Sequence, residues 1–367
     1  MIRYFSVENF KNFEKKIEFD FSDVKTYQFN TKCVKNKLLH NMIIYGKNAT
    51  GKTNLGYALF DITHHLVDKV KGNESYKYYL NANSDIPYAT FNYEFDLNGD
   101  IIKYEYRKTD VATLIYEKLV VNNEQMFEYD FIEHDGRFDG LKARITDTLI
   151  IPDEFDISIV RYIAGNSILP DNSPIKKLIK FVANMLWFRS LGRNSLIGYR
   201  IGEKTITDYL LNNNLVDEFS DFLNECGVKD KLISKKDPSG EEIIYIKGKK
   251  LIPFIGAASS GTVALAMFYV WFHEGQNLSF LWIDEFDAFY HYELAEKIVM
   301  ILEEKINCQV VLTSHNTNLL SNKIMRPDCY FILANGKLTS IVNATDRELR
   351  EGHNLEKLYI NGEFDEE

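Results

Sequence analysis

The sequence feature that most constrains the fold is a glycine-rich turn between an apolar strand and an amphipathic helix. The strand pattern includes Ile43 and Ile44, and the helix pattern repeats apolar residues at Leu55, Leu59 and Ile62. The turn reads G-x-x-x-x-G-K-T, and its glycines let successive backbone N–H groups and the helix start face a polyphosphate. The sequence therefore predicts a nucleotide site formed by Gly46, Lys47, Asn48, Ala49, Thr50, Gly51, Lys52 and Thr53.

Two residues of this turn carry the chemistry of the predicted site. The Lys52 ammonium is expected to reach the outer phosphates of ATP, and the Thr53 hydroxyl to bind Mg²⁺. The alternative is a chance glycine turn before a helix. It would have to reproduce four fixed positions together with the flanking strand and helix, so nucleotide binding is the preferred interpretation.

Length and charge limit the class of protein. With 367 residues, the chain can form one large domain with a subdomain, or two domains. A formal charge of −10 argues against a protein that coats nucleic acid through its overall field. Lysine clusters leave nucleic acid open as a partner, although each is more simply a solvated face: Lys32, Lys35 and Lys37; Lys176, Lys177 and Lys180; Lys229, Lys231, Lys235 and Lys236; Lys247, Lys249 and Lys250.

The cysteines and apolar runs indicate the compartment. The four cysteines form no C-x-x-C pair, which fits a reducing cytosol and gives no zinc site or disulfide framework. The first residues lack the layout of a signal peptide, and no apolar run approaches the roughly 20 residues that cross a bilayer. We therefore expect a cytoplasmic protein without a membrane domain.

Periodicity predicts an α/β chain with an inserted region. Alternation predicts strands around a turn at 9–13, and hairpins at Asn98-Gly99 and at Asn122-Asn123. From Pro174 the pattern becomes helical, with Leu186 on the same face as Ile175, and the last third alternates strand and helix again. The predicted division is an N-terminal part of the core at 1–70, an antiparallel β-subdomain at 71–160, a helical insertion at 161–250 and a C-terminal part of the core at 251–367.

An apolar strand ends in two adjacent carboxylates. The run from Phe280 to Ile283 leads into Asp284 and Glu285. Asp284 is placed to hold Mg²⁺ through water, and Glu285 to polarise the attacking water. Paired acids after a strand are also common on protein surfaces, but the upstream P-loop favours the functional interpretation.

Two further segments follow elements of the C-terminal third. Ser259, Ser260 and Gly261 precede a predicted helix, where they form either a second anion site or an ordinary cap. Because one P-loop already binds the phosphates, a second phosphate site would serve the nucleotide of another subunit. His315 follows a strand and is either structural or placed to reach a γ-phosphate.

In this order, the motifs resemble the ATP-binding-cassette ATPases. The resemblance is greatest to the Rad50, SMC and RecF branch, through Asn48, the turn Asn9 to Phe13, and Asp284 to Ala288. More narrowly, Ser259 to Thr262 and the tail Asn354 to Gly362 resemble the compact abortive-infection and OLD-like phage-resistance ATPases of bacteria. The resemblance covers the two ends of the chain, about half of it.

The resemblance implies a core with a mixed sheet flanked by helices. Periodicity predicts the antiparallel β-subdomain and the inserted helical subdomain, and because nothing in the helical region repeats at seven residues, we expect no long coiled coil. It also implies a homodimer or higher homo-oligomer in which ATP lies between subunits. Glu285 and His315 would be catalytic, Lys11 and Asn12 would help to bind nucleotide, and Ser259 to Gly261 would close on the ATP of a partner.

Several functions remain open under this resemblance. The first is an ATP-driven switch that controls a separate nuclease or toxin in anti-phage defence. The alternative is a RecF-like or Rad50-like ATPase that binds DNA during repair. A translation-associated cassette protein is disfavoured because the chain has one P-loop. The departures are Ala258 and Ser260 in the signature, Ala49 where the branch often has Gly, His291-Tyr292 for His-Pro, and a Q-loop glutamine that cannot be placed.

Overall fold

The computed structural model describes residues 1–67, 76–142, 152, 154–189, 195–198, 205–274 and 277–364. The strands are β1 (Ile2–Glu8), β2 (Ile17–Asp20), β3 (Val34–Lys35), β4 (Leu38–Leu39), β5 (Asn41–Tyr45), β6 (Ala89–Leu97), β7 (Asp100–Lys108), β8 (Leu114–Val121), β9 (Glu124–Asp130), β10 (Asp135–Arg137), β11 (Met185–Arg189), β12 (Ser195–Gly198), β13 (Leu232–Lys236), β14 (Glu242–Lys247), β15 (Leu251–Pro253), β16 (Phe280–Asp284), β17 (Gln309–Thr313), β18 (Tyr330–Ala334) and β19 (Lys337–Ser340). The helices are α1 (Lys52–Val67), α2 (Asp139–Lys142), α3 (Ile159–Asn166), α4 (Pro174–Ala183), α5 (Ile206–Asn212), α6 (Val216–Glu225), α7 (Phe254–Ala257), α8 (Ser260–Glu274), α9 (Tyr292–Lys305) and α10 (Leu355–Ile360).

The central sheet has the strand order β12-β11-β16-β17-β5-β18-β19. Its five inner strands are parallel, and β12 and β19 add antiparallel edges. Every residue of β5, β16 and β17 is buried. Their near-continuous apolar runs fit this position, because parallel strands are covered on both faces.

A second, wholly antiparallel sheet has the order β10-β9-β8-β7-β6-β1-β2. The predicted hairpins at Asn98-Gly99 and Asn122-Asn123 are both present. Helix α1 packs against this sheet and against the central one: the Tyr93 hydroxyl on β6 donates to the carbonyls of Ala58 and Leu59 on α1, and α1 also contacts β11 and β16. The helix that follows the P-loop is therefore held in the core on both sides.

The third sheet, β13-β14-β15, contacts α5, α6 and α7, and α8 in turn packs against α5 and α6. Phe219 on α6 lies 5.8 Å from the ring of Phe254 on α7 and 5.0 Å from that of Tyr269 on α8, which joins these helices in one apolar cluster. This unit presents the predicted signature segment, because α8 begins at Ser260.

The predicted fold class is confirmed: a mixed sheet flanked by helices combines with an antiparallel sheet and a helical unit. Among the described helices, none is longer than the 16 residues of α1. None of them is long and apolar enough to cross a membrane.

One local prediction is wrong, and the domain division remains a prediction. Leu186 does not continue the helix from Pro174, because α4 ends at Ala183 and the buried strand β11 begins two residues later, pairing with β16. Thus the range 161–250 contributes two strands, β11 and β12, to the central sheet. Strand β1, from the range 1–70, likewise pairs with β6 of the range 71–160.

Candidate nucleotide and metal site

The P-loop connects β5, in the middle of the central sheet, to α1. A Cβ at Gly46 would lie 2.7 Å from the Leu333 carbonyl oxygen, so only glycine fits at this position. Gly51 has φ +107°, and Ala49 has φ +66° although it carries a side chain. The left-handed backbone at Ala49 explains why glycine suits this position in the branch that the chain resembles.

Lys52 turns its ammonium back into the loop. Its Nζ donates to the carbonyl oxygens of Gly46 at 2.7 Å and Lys47 at 3.3 Å. Burial lowers the pKa of Lys52, and the nearby Glu285 and Asp284 carboxylates oppose that shift. A largely buried ammonium held by two carbonyls is able to exchange them for the phosphate oxygens of a nucleotide.

Thr53 and Asp284 meet at the carboxyl edge of the central sheet. The Thr53 hydroxyl donates to Asp284 Oδ2 at 2.8 Å, and the Thr313 hydroxyl donates to Asp284 Oδ1 at 2.7 Å. Asp284 is buried, so these two bonds fix its carboxylate plane. A hydroxyl beside a carboxylate is the hard oxygen set that Mg²⁺ prefers.

Glu285 and His315 lie next to this pair. Glu285 has φ +50°, and its backbone N–H donates to Thr313 Oγ1 at 2.7 Å. His315 Nε2 is 3.9 Å from Glu285 Oε1. A glutamate held in the left-handed region beside a histidine is a strained conformation, and such conformations concentrate at functional sites.

Asp287 and Ser314 brace the same edge. The Ser314 hydroxyl donates to Asp287 Oδ2 at 2.8 Å, and burial raises the pKa of Asp287. This bond ties the segment after β16 to the residue that precedes His315.

The N-terminal turn contacts the P-loop through Asn12. Its Nδ2 donates to the Thr50 carbonyl at 3.1 Å, and its Oδ1 accepts from Asn54 at 2.7 Å. Gly51 leaves room for Asn12, because a Cβ there would be 2.4 Å from its Nδ2. Asn12 therefore supports the loop.

Lys11 lies above α1. Its Nζ is 5.3 Å from the ring centroid of Tyr57, and it donates to the Lys77 carbonyl at 3.2 Å. Burial lowers the pKa of Lys11. Tyr57 is one helical turn beyond Thr53, so Lys11 lies near the start of α1.

The signature segment is built as a helix start. The Ser259 hydroxyl accepts from the Thr262 backbone N–H at 3.2 Å, and Ser259 and Ser260 are exposed. Gly261 lies close to the Phe289 carbonyl, 3.0 Å from where a Cβ would be. Among the described residues, no hydrogen bond joins these three residues to the P-loop, whereas Asn12, Asp284, Glu285 and His315 all lie around it.

Sequence reasoning missed Thr313, Asn54 and Arg189. Arg189 ends β11 and is the parallel register partner of Asp284. Its Nη1 donates to the Tyr57 hydroxyl at 2.6 Å, and its Nε has no hydrogen-bond partner among the described residues. The short apolar run before Arg189 is the sequence signal for strand β11. The helix predicted from Pro174 includes Leu186 and therefore hides that signal.

A cleft of about 300 Å³ opens beside the loop. Its lining includes Gly46, Lys47 and Thr50 on one side and Asn335 and Tyr359 on the other. The cleft, the Lys52 ammonium and the Thr53–Asp284 oxygen pair together fit a nucleoside triphosphate with Mg²⁺.

A family model described as "AAA domain, putative AbiEii toxin, Type IV TA system" matches residues 42–321, about three quarters of the chain. The chain belongs to this family. It is a P-loop ATPase related to the abortive-infection proteins, which confirms the resemblance seen in the sequence motifs. No curated protein matches it in sequence.

Solved structures give a broader likeness. The SMC head domain from Thermotoga maritima is 15% identical, with a TM-score of 0.45 over 93% of this chain and 98% of that chain. An SmcHead bound to the C-winged helix domain of ScpA is 16% identical, with a TM-score of 0.45 over 92% of this chain and 97% of that chain. A third structure is an Smc head domain with an extended coiled coil, bound to the C-terminal domain of ScpA derived from Pyrococcus furiosus. It is 13% identical, with a TM-score of 0.42 over 92% of this chain and 96% of that chain.

Proposed function

We propose that this chain is an ATP-driven switch that binds ATP and Mg²⁺ at the P-loop, closes on another copy of itself and hydrolyses the nucleotide. The observation that carries the proposal is the meeting of Thr53, Asp284 and Glu285 beside the Lys52 ammonium. A metal-binding oxygen pair, a phosphate-binding cation and a carboxylate base are the groups that phosphoryl transfer to water uses.

Each group has a defined task in this proposal. Thr53 and Asp284 hold Mg²⁺, and Lys52 leaves its two loop carbonyls to bind the outer phosphates. Glu285 accepts a proton from the attacking water, and His315, 3.9 Å from that carboxylate, contacts the γ-phosphate. Bound ATP and Mg²⁺ supply the phosphoanhydride and its charge neutralisation.

Turnover measurements test the catalytic part. Removing a general base costs about 10²- to 10⁴-fold in rate, so Glu285→Gln should lower kcat by that factor while ATP binding, measured with a fluorescent analogue, is retained. Glu304→Gln is the matched control, because Glu304 is exposed on α9. Unchanged turnover in Glu285→Gln would remove Glu285 from the mechanism.

The association part rests on the exposed helix start at Ser259, which has no bond to its own P-loop among the described residues. In a head-to-tail pair, one protomer supplies the P-loop and its partner supplies Ser259 to Gly261. Lys52→Ala and Ser259→Arg should each abolish turnover. Mixing the two proteins should restore part of it, because one interface of the mixed pair keeps both intact halves. If the mixture stayed inactive while both variants still associated, the shared site would be refuted.

The output of the switch is a second part of the proposal. In the anti-phage function, the closed and open oligomers hold or release a separate nuclease or toxin. Co-expression with the product of each neighbouring gene tests this: growth arrest should depend on that product and should change when Glu285→Gln traps the closed form. The repair alternative instead predicts that duplex DNA ends stimulate ATP turnover.

A further inference from the structure

Residues 229–250 form a basic segment in an acidic protein. They contain seven lysines and four acidic residues, while the whole chain has a formal charge of −10. Every one of these lysines is exposed: Lys229, Lys231, Lys235, Lys236, Lys247, Lys249 and Lys250. The segment includes β13 and β14 and the turns around them.

Strand register places three of these lysines on one face. Leu232 pairs with Ile246 and Lys235 with Ile243, so Lys231 stands opposite Lys247 across the ladder. Since side chains alternate along a strand, Lys231, Lys235 and Lys247 share a face with Tyr245. Leu232 and Ile244 lie on the other face and are buried, where β13 and β14 meet α5 and α6.

The outward face combines charge with apolar surface. Ile233, Ile243 and Tyr245 are half-exposed and lie between the lysines. Among the described residues, no carboxylate forms an ion pair with Lys231, Lys235 or Lys247. Like charges directly across an antiparallel ladder repel each other, so this arrangement favours an anionic ligand.

The spacing and the aromatic ring indicate which anion. Lys231, directly before β13, and Lys235 within it are four residues apart, or about 13 Å at 3.3 Å per residue, so the positive charge extends along the strand direction. A basic sheet face with an aromatic residue between its lysines matches how proteins bind single strands, since phosphates contact lysines and unpaired bases stack on the ring. Paired bases in a duplex cannot stack in this way.

We propose that the outward face of β13–β15 binds single-stranded nucleic acid through Lys231, Lys235 and Lys247, with Tyr245 stacking on a base. This site shares no residue with the P-loop groups and requires no nucleotide. It therefore stands whether or not ATP drives association of the chain.

Fluorescence anisotropy with a labelled 20-mer of thymidylate, without ATP, tests the proposal between 50 and 200 mM salt. Each phosphate contact contributes about −0.7 to the slope of log affinity against log salt, so three contacts give about −2. Lys231→Gln, Lys235→Gln and Lys247→Gln combined should remove most of that slope. Tyr245→Ala should weaken binding about tenfold at every salt concentration and leave the slope unchanged.

The matched control removes three exposed lysines outside the basic clusters: Lys15→Gln, Lys323→Gln and Lys357→Gln together. It changes the net charge equally and should retain the wild-type slope. Equal weakening by both triple variants would overturn the proposal, because overall charge alone would then explain binding. Tight binding of poly-L-glutamate that tolerates Tyr245→Ala would also overturn it, in favour of an acidic protein partner. Circular dichroism checks that each variant is folded.

Discussion

The Thr53 hydroxyl on α1 donates a 2.8 Å hydrogen bond to Asp284 Oδ2, although the two residues are 231 positions apart in the chain. The contact forms because β5 and β16 are both parallel to β17, which lies between them, so their carboxyl ends share one edge. Two motifs that are local in sequence thus become one oxygen pair. In the proposed function, Thr53 and Asp284 would hold Mg²⁺ at this edge.

Thr53→Val tests that pair with little change in side-chain volume. Loss of the hydroxyl removes one proposed Mg²⁺ ligand, so the Mg²⁺ concentration that half-saturates ATP binding should rise at least tenfold, the lower end of what is lost at groups around a metal. Isothermal titration of ATP across Mg²⁺ concentrations measures this shift. Thr63→Val is the control, since Thr63 lies on the same helix and its hydroxyl donates to the Phe60 carbonyl. An unchanged Mg²⁺ dependence in Thr53→Val would contradict the assignment.

The parts of the site that sequence predicted are those encoded in short runs. Gly46 to Thr53 and the pair Asp284-Glu285 are recognisable because their spacing and flanking strands are local. The roles of Thr313 and Arg189 are not predictable in this way, because they depend on which strands pair. The sequence of one strand does not determine its register with a distant strand. Arg189 is further obscured because the last residues of α4, Phe181 to Ala183, and the first four residues of β11 form one apolar run that is interrupted at Asn184.

The fold, like the site, is predictable from sequence where the signals are local and not where distant strands pair. The hairpins were predicted because Asn-Gly and Asn-Asn turns between alternating runs are local signals. The long-range pairing of β1 with β6, and of β11 with β16, joins segments that periodicity places in different regions. Alternation shows that a segment is a strand, but it does not identify the neighbouring strand.

Glu285 offers a test of stored strain. Its φ of +50° lies in the left-handed region, which costs a residue with a side chain about 1–2 kcal/mol. Glycine relieves that cost but loses about 0.5–1 kcal/mol of chain entropy. Glu285→Gly should therefore raise the free energy of unfolding by about 0.5–1 kcal/mol while lowering kcat by about 10²- to 10⁴-fold. Glu285→Gln should lower kcat by a similar factor at wild-type stability, and equal urea midpoints for the two variants would refute the strain.

Helix α1 is also anchored by a buried ion pair. Lys108 Nζ lies 2.8 Å from Asp61 Oδ1, and both side chains are almost fully buried. Asp61 additionally accepts hydrogen bonds from the Tyr79 and Tyr106 hydroxyls, at 2.9 Å each. The pair joins the helix that begins with Lys52 to strand β7 of the antiparallel sheet.

Removing one partner should cost more than removing both. Lys108→Met leaves a buried carboxylate without its cation, and breaking such a pair destabilises a protein by about 3–5 kcal/mol. The double variant Asp61→Asn, Lys108→Met leaves no buried charge, so it should be less destabilised than the sum of the two single variants. Urea unfolding of wild type, the two single variants and the double variant completes this double-mutant cycle. Strict additivity would show that the pair contributes no coupling energy.

His65 connects α1 to a second buried network. Its Nε2 is 2.7 Å from the Tyr104 hydroxyl, which itself donates to Glu117 Oε1 at 2.6 Å. Burial lowers the pKa of His65 well below its ordinary value of 6.5, and the nearby Lys108 ammonium acts in the same direction. The folded protein therefore keeps His65 neutral at pH values where the unfolded chain protonates it.

This difference in protonation gives a pH dependence with a defined sign. The stability due to neutral His65 is present in full above pH 6.5 and is lost as the pH falls, because the unfolded state then binds the extra proton. The loss reaches at most about 1.4 kcal/mol per pH unit.

A glutamine in place of His65 is able to donate to Tyr104 without titrating, so the stability advantage of wild type over His65→Gln should shrink by up to about 2 kcal/mol between pH 6.5 and 5. Comparing the two proteins cancels His40, whose pKa burial also lowers, and Glu117, whose pKa burial raises. Urea unfolding at both pH values measures the change, with exposed His291→Gln as the control. Parallel pH profiles for wild type and His65→Gln would show that His65 does not titrate differently on unfolding.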